Sequence, residues 1–334
     1  MAAQSNVQRA IESQGVAGCL SGLLRLDQRA GGRAGMQAVI DALALPADYV
    51  QALDAAGASA RAGVRLGSAA WYYPQGGWVD PRGMARSFLE CRPSFIDLKP
   101  GVDVAELQRE GERWILLDSQ GRTVVESAVV VLANAGGALD LLGRPDWPIA
   151  STRGQLTGMH VDPASAAEFP RIPIAGAGYV LPPIDGRVWF GASSQRGDDD
   201  ASVRVADQRD NVERLAALLG SAPAVDLDRL SGRKAWRWVS DDRLPVIGAV
   251  PAAKGDKDRR LDQPRFVPRE PGLFVCTALG SRGIAVSVLG AQIVAAAIVG
   301  APAPVEADLL DAVDPARFAV RAFRRGTRPP VATA

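Results

Sequence analysis

Leu273-Phe-Val-Cys-Thr-Ala-Leu-Gly280-Ser281-Arg282-Gly283-Ile284, with the Ala/Val/Ile-rich run that follows to Val299-Gly300, decides the fold class. An apolar segment of β character, a Gly-x-x-Gly turn and a small-residue helix bring backbone N–H groups to a helix N-terminus, where a phosphate or a ligand carbonyl can be held. Arg282 adds a fixed positive charge inside that turn. Upstream, Val129-Val-Val-Leu-Ala133 is apolar without alternation, as a strand covered on both faces should be. It ends in Asn134-Ala-Gly136-Gly137, a small-residue turn where a ligand can approach the backbone.

One element expected beside these is missing from the 334 residues. A dinucleotide-binding unit opens with a strand, a G-x-G-x-x-G turn and a helix, with an acidic residue about twenty positions on. Gly15-x-x-Gly18 and Gly31-Gly32-x-x-Gly35 follow no apolar strand, and Gly176-Ala-Gly178 runs into Tyr-Val-Leu-Pro without a third glycine. Elsewhere the patterning predicts a helix over Ala47–Ala56 behind Pro46, and another from Asp80-Pro81 to about Glu90, with Asp as N-cap and Pro at N1. Residues Phe95–Ala133 read as β, Gly154–Met159, Tyr179–Leu181, Val188–Ala192 and Lys234–Val239 as further strands, and Val205–Leu219 as a helix. The expected layout interleaves two domains. Residues 1–80 form a helical or irregular lead-in. Residues 81–150 and 271–315 form the cofactor layer, 151–270 a mixed β domain with a charged loop at 252–270, and 316–334 a basic tail.

Composition excludes several partners. A net charge of +1 with 47% hydrophobic residues describes a globular chain without a whole-molecule field for nucleic acid or membrane. Cys19, Cys91 and Cys276 are widely spaced and His160 is the single histidine. That argues against a disulfide framework or a zinc site and suits a reducing cytoplasm. No signal peptide is evident in the opening residues. The run Ile284–Val299, interrupted by Ser287, Gly290 and Gln292, reads as a buried helix rather than a bilayer span.

Tyr73-Pro-Gln-Gly-Gly-Trp78, Val131-Leu-Ala-Asn134, Arg153-Gly-Gln155, Gly191-Ala-Ser193, Trp236-Arg237-Trp-Val-Ser-Asp-Asp-Arg-Leu-Pro245-Val-Ile-Gly248, Ala278-Leu-Gly-Ser-Arg-Gly283 and Asp314-Pro-Ala-Arg317-Phe form an ordered series. Together they resemble the FAD-dependent oxidase half of the bifunctional tRNA 5-methylaminomethyl-2-thiouridine biosynthesis proteins, relatives of glycine and D-amino-acid oxidases. The resemblance implies an α/β, D-amino-acid-oxidase-like flavoprotein with a mixed, antiparallel β substrate domain. Its FAD-binding layer lacks the first βαβ unit, and Ala135 stands where the family tends to have glycine. Its expected cofactor is FAD and its expected partner tRNA, in the cytoplasm and without a membrane. The methyltransferase half is missing from these residues, or is encoded separately. In that family a carboxymethylaminomethyl group on the wobble uridine loses a hydride to the flavin, the imine hydrolyses, and glyoxylate leaves an aminomethyl group.

Site residues follow from the same resemblance. Arg237 is expected to grip the substrate carboxylate with two parallel hydrogen bonds, against the plainer reading of a surface arginine stacked on tryptophan. Gly280, Ser281, Arg282, Gly283 and Ile284 are expected at the flavin pyrimidine edge, and Val104, Ala133 and Asn134 on its adenine and pyrophosphate side. Tyr179 is expected to wall the substrate cavity. Arg317, Arg321, Arg324 and Arg325, with Arg328 beyond, are candidates for tRNA phosphates. Asp198-Asp-Asp200 reads as an exposed loop. Two other functions stay open: oxidation of free glycine-like or N-methyl amino acids, and a non-catalytic remnant or RNA-binding module that holds no FAD.

Overall fold

The computed structural model describes residues 2–27, 31–221, 225–252 and 262–325. Most of the charged loop expected at 252–270, and the end of the basic tail with Arg328, lie outside the described residues. The chain divides into two compact units, one of Met1–Asn6, Leu89–Thr152 and Arg237–Ala334, the other of Val7–Phe88 and Arg153–Trp236. The return to the first unit thus comes at Arg237 rather than at 271.

The second unit is built on a nine-stranded sheet. From one edge it runs Gln195–Arg196, Ile149–His160, Arg187–Gly191, Tyr179–Val180, Ile174–Ala175, Leu23–Leu26, Ala70–Tyr73 and Gln51–Leu53, with Ser231–Ser240 also paired to Ile149–His160. Strand Ile174–Ala175 runs parallel to Leu23–Leu26, whereas its pairing with Tyr179–Val180 and the pairings flanking these are antiparallel. Helix Val205–Leu219 lays Leu215 and Leu218 on this sheet beside Leu24, Ile174, Val180, Val188 and Phe190, all buried. The helix expected over Ala47–Ala56 is instead a turn, the strand Gln51–Leu53 and the start of helix Ala55–Ala62. Pairing of Gln51–Leu53 with Ala70–Tyr73 overrides the local helical preference of the alanines. Helix Pro81–Glu90 begins as expected, with Asp80 Oδ2 accepting from the Gly83 amide at 2.9 Å. His160 sits exposed at a strand end.

A closed polar network stands inside the same unit. Arg153, fully buried, donates to Asp207, to Gln155 and to the carbonyls of Asp200 and Ser202. Asp198 and Asp200 clasp Arg204, so the acidic triplet is an internal tie rather than a free loop.

In the first unit the central sheet has three strands, Val246–Pro251, Arg269–Thr277 and Val130–Leu132, in that order. The first pair is antiparallel; Leu273, Phe274 and Val275 run parallel to Val130, Val131 and Leu132. A separate antiparallel meander, Glu106–Glu110, Arg113–Leu117 and Thr123–Ser127, precedes it. Trp114, Val130, Leu132, Leu273 and Val275 close one face of the central sheet. Helix Gly283–Val299 covers the other through Ile293 and Val294, set against Ile247 and Phe274. Gly290 permits the close approach, since a Cβ there would meet Cys276 Sγ and Ile247 Cδ1 at 3.1 Å.

Two expectations fail in this unit. The strand expected from Val102 begins only at Glu106, because pairing with the neighbouring strand starts at Ala105, whose amide donates to the Leu117 carbonyl. The long helix is not buried all round: only Gly290, Ile293 and Val294 are, while Ile284, Ile298 and Val299 are exposed. Gly280–Val299 is long and apolar enough to cross a membrane by length and composition, yet one side of it packs on the sheet.

Candidate flavin and carboxylate site

Because Val130–Leu132 and Leu273–Val275 run parallel, the turns that follow them open at the same edge of the sheet. Both turns hold an alanine in the left-handed region, Ala135 at φ 54° and Ala278 at φ 53°, and Gly280 follows at φ 58°. A left-handed residue with a Cβ costs about 1–2 kcal/mol, and such strain collects where a backbone must be aimed at something. Thr277 Oγ1 ties the two turns by donating to the Ala135 carbonyl at 2.8 Å. Gly136 is required on the other side, since a Cβ there would collide with the Trp238 indole.

Trp238 comes from the long strand Ser231–Ser240, whose Val239 bridges Leu279 in the second turn. Alternation along a strand puts Trp236 and Trp238 on one side and Arg237 on the other. The stacking alternative for Arg237 is not what forms: Lys234 lies over Trp236, with Nζ 4.6 Å from the ring centre. Arg237 is half-buried and makes no hydrogen bond or ion pair with any described residue. The other arginines shielded from solvent, Arg153, Arg187, Arg204, Arg214, Arg269, Arg317 and Arg321, are all held by protein oxygens. A half-buried guanidinium left without an acceptor suits a ligand that brings one.

The residues Gly280–Arg282 form a single tight turn that leads into the helix starting at Gly283. Ser281 and Ile284 are exposed, Gly280 and Gly283 half-buried. Arg282 is exposed and donates to the Arg243 carbonyl at 2.8 Å, so part of its donor set serves the neighbouring loop. Ala133 and Asn134 are exposed at the end of the Val130–Leu132 strand. Val104 is half-buried in the unpaired stretch ahead of Glu106–Glu110. Tyr179 belongs to the other unit, opposite Ala175 and Gly191 in its sheet.

The phosphate candidates divide. Arg317 is buried, not a surface contact: it donates to Asp242 and to the carbonyls of Val313, Asp314 and Leu244. Arg321 also donates to Asp242. Burial pushes the Asp242 carboxyl up, but hydrogen bonds from Arg317, Ser240, Arg321 and the Leu244 amide hold it well below the usual carboxylate range. Asp242 is the residue that sequence reading missed, although it lies inside the quoted Arg237–Gly248 motif. Arg324 and Arg325 are exposed, Arg324 donating to the Asp262 carbonyl.

For FAD, the strained pair of turns and the helix start present main-chain groups at one end of the sheet, as a flavin ring needs, and Arg237 offers a guanidinium of the kind a carboxylate substrate needs. For the pyrophosphate end, the described residues include no G-x-G-x-x-G turn between a strand and a helix, the element that holds a dinucleotide's phosphates.

Ligands of open α/β sheets lie beyond the carboxyl ends of the strands, and the edge carrying Ala135 and Ala278 has that character, that of a cofactor-dependent α/β oxidoreductase. The chain belongs to the FAD dependent oxidoreductase family, whose profile matches residues 3–297. It is 44% identical over 324 residues to the tRNA 5-methylaminomethyl-2-thiouridine biosynthesis bifunctional protein MnmC of Methylibium petroleiphilum, covering 92% of this chain and 48% of that one. The Burkholderia multivorans protein of the same name is 39% identical over 326 residues, covering 95% and 49%. The chain therefore spans about half the length of the curated relatives it matches. Among solved structures, iminodiacetate oxidase from Chelativorans sp. BNC1 superposes with a TM-score of 0.71 at 21% identity, and glycine oxidase from Geobacillus kaustophilus with 0.70 at 19%. Each comparison covers 93% of this chain and 80% of the other. They share its fold.

Proposed function

We propose that this chain carries the substrate-carboxylate and flavin-ring part of an oxidase that converts the carboxymethylaminomethyl group of a tRNA wobble 2-thiouridine to aminomethyl. The substrate CH–NH unit loses a hydride from carbon and a proton from nitrogen to become an imine, and water then cleaves the imine to glyoxylate and a primary amine. FAD, when bound, supplies the oxidising equivalent. Arg237 holds the carboxylate by two parallel hydrogen bonds and so fixes the adjacent carbon. The observation that carries this reading is the half-buried Arg237 without a protein acceptor. The names of the relatives, tRNA 5-methylaminomethyl-2-thiouridine biosynthesis proteins, support the choice of tRNA.

A second reading, oxidation of a free glycine-like or N-methyl amino acid, is favoured by one observation: Arg317 and Arg321 are spent on Asp242. Arg324 and Arg325 remain the candidates for phosphate. The test compares carboxymethylaminomethyl-modified tRNA with glycine and iminodiacetate, following glyoxylate release. Arg237→Gln is expected to lower kcat/KM on the order of a hundredfold, from the loss of a charged bidentate contact. Arg237→Lys should recover only part of it. Equal turnover by Arg237→Gln removes the carboxylate assignment, and turnover of the free amino acids alone removes the tRNA assignment.

A further inference from the structure

One face of the nine-stranded sheet is covered, and the other carries cations. Val188 and Phe190 pack with Leu215 and Leu218 of helix Val205–Leu219 and are fully buried. Arg187 and Trp189 alternate with them along the same strand and so lie on the opposite face, with His160 and Gly158 directly across. Gly158 leaves room for the indole, since a Cβ there would meet Trp189 Cζ3 at 2.7 Å and Ser231 Oγ at 2.8 Å. Two guanidinium groups stand over that indole, Arg233 at 4.6 Å from the ring centre and Arg187 at 5.6 Å. Arg233 is exposed, while Arg187 and Trp189 are half-buried.

Neither arginine has a carboxylate. Arg187 donates only to the neutral Ser231 hydroxyl, at 3.4 Å, and Arg233 makes no hydrogen bond or ion pair with any described residue. Asp226, ahead of the strand that carries Arg233, takes Arg229 instead. Other arginines of the same unit are matched, Arg153 by Asp207 and Arg204 by Asp198 and Asp200. A guanidinium stacked on an indole is held in place and keeps its in-plane N–H groups free to donate. Two of them without acids suit an oxyanion brought from outside, and phosphate takes a guanidinium by parallel hydrogen bonds. A tRNA substrate needs such donors, and Arg317 and Arg321 are spent on Asp242. Tyr179 lies on the same face by alternation with the buried Val180, opposite Gly191 on the strand of Arg187 and Trp189. The face therefore continues from the two cations to the residue expected to wall the substrate cavity.

We propose that Arg187 and Arg233, held by Trp189, form a phosphate-binding surface for the RNA backbone of the substrate. This inference rests on tRNA being that substrate. The contacts are to phosphate, so they add affinity without reading sequence.

Fluorescence anisotropy of end-labelled, carboxymethylaminomethyl-modified tRNA measures Kd for the full chain over a range of salt concentrations. In Arg187→Gln/Arg233→Gln the affinity is expected to fall by about tenfold or more, and the slope of log K against log salt to become shallower by about one per arginine. Trp189→Leu keeps both charges but frees their side chains, so it should weaken binding at an unchanged slope, with circular dichroism checking that it folds. Lys234→Gln, on the other side of strand Ser231–Ser240, should change affinity far less than Arg233→Gln. Binding by the parent chain that the double arginine variant leaves unchanged overturns the surface and keeps tRNA as substrate. Equal losses from Lys234→Gln and Arg233→Gln also overturn it, since they describe a general field of charge rather than this face. No binding of tRNA by the parent chain rejects the tRNA reading and the surface with it. Binding to phosphatidylglycerol vesicles but not to tRNA, lost in the double variant, would give the face to a membrane and overturn the proposal.

Discussion

Phe190, Val188 and Val180 are fully buried in the unit of residues 7–88 and 153–236, and all three guanidinium nitrogens of its buried Arg153 donate to protein oxygens. In the other unit Val131, Phe95 and Leu98 are exposed and Arg237 has no acceptor among the described residues. Both units come from one sequence of even composition. The difference therefore lies in whether neighbours in space are provided: a strand's apolar side chains are buried only when a second layer and an adjacent strand exist to bury them. The nine-stranded sheet has its own helix and its own edges; the three-stranded sheet has a helix on one face and an open side.

The sharpest way to break this contrast is to open the closed unit. Asp207→Ala leaves Arg153 charged, buried and without its carboxylate, and is expected to cost about 3–5 kcal/mol in denaturant unfolding. A loss below about 1 kcal/mol would show that water reaches Arg153 and that the unit is less closed than described.

Next comes Asp242→Asn in the open unit, where the C-terminal helix Arg317–Arg324 is moored by one carboxylate. It is expected to cost roughly 2 kcal/mol at neutral pH, less than Asp207→Ala because Asp242 and Arg321 keep some contact with solvent. The acid's native pKa lies below its unfolded one, so its stabilisation is present above about pH 4 and is lost as pH falls through the native value. Asp314 works in the opposite sense. Burial raises its carboxyl in spite of Arg269, so its contribution is present at low pH and is lost as pH rises through its native value. Unfolding measured from neutral to acid pH should show a shallower acid-side decline in Asp242→Asn than in the parent chain.

Ala135→Gly is expected to stabilise the first unit by about 0.5–1 kcal/mol, by relieving a left-handed alanine. If thermal unfolding shows no gain, the strain at the strand ends is not real. The smallest effect is expected at Val131. Although it sits within the most apolar strand of the chain, Val131→Thr should change stability by less than about 0.5 kcal/mol, because the side chain is already in water. Phe190→Ala, its counterpart in the closed sheet, belongs to the class that costs about 3–5 kcal/mol.

Much of this was legible from patterns. Asp80-Pro81 starts a helix, Val205–Leu219 is one, and the apolar stretch into Gly280–Gly283 is a strand, a turn and a helix start. These are local signals: a cap, a period, a glycine where the chain must reverse. The motif around Arg237 also pointed to one arginine among many. For Ala135 the family's preference for glycine was the one sign of a left-handed turn; Ala278 gave none, since nothing in an alanine announces a positive φ. Nor did spacing reveal that Asp242 would take Arg317 and Arg321, which lie 75 and 79 residues away.

By itself, then, the sequence determined the kinds of element, the family, and the absence of a glycine-rich phosphate turn from these 334 residues, because each is written in a contiguous run or an ordered series of them. Only the tertiary structure decided which arginine is left without a partner and which apolar residues stay in water. Phe95, Leu98, Val129 and Val131 are apolar and yet exposed, because burial belongs to neighbours that a single segment cannot supply.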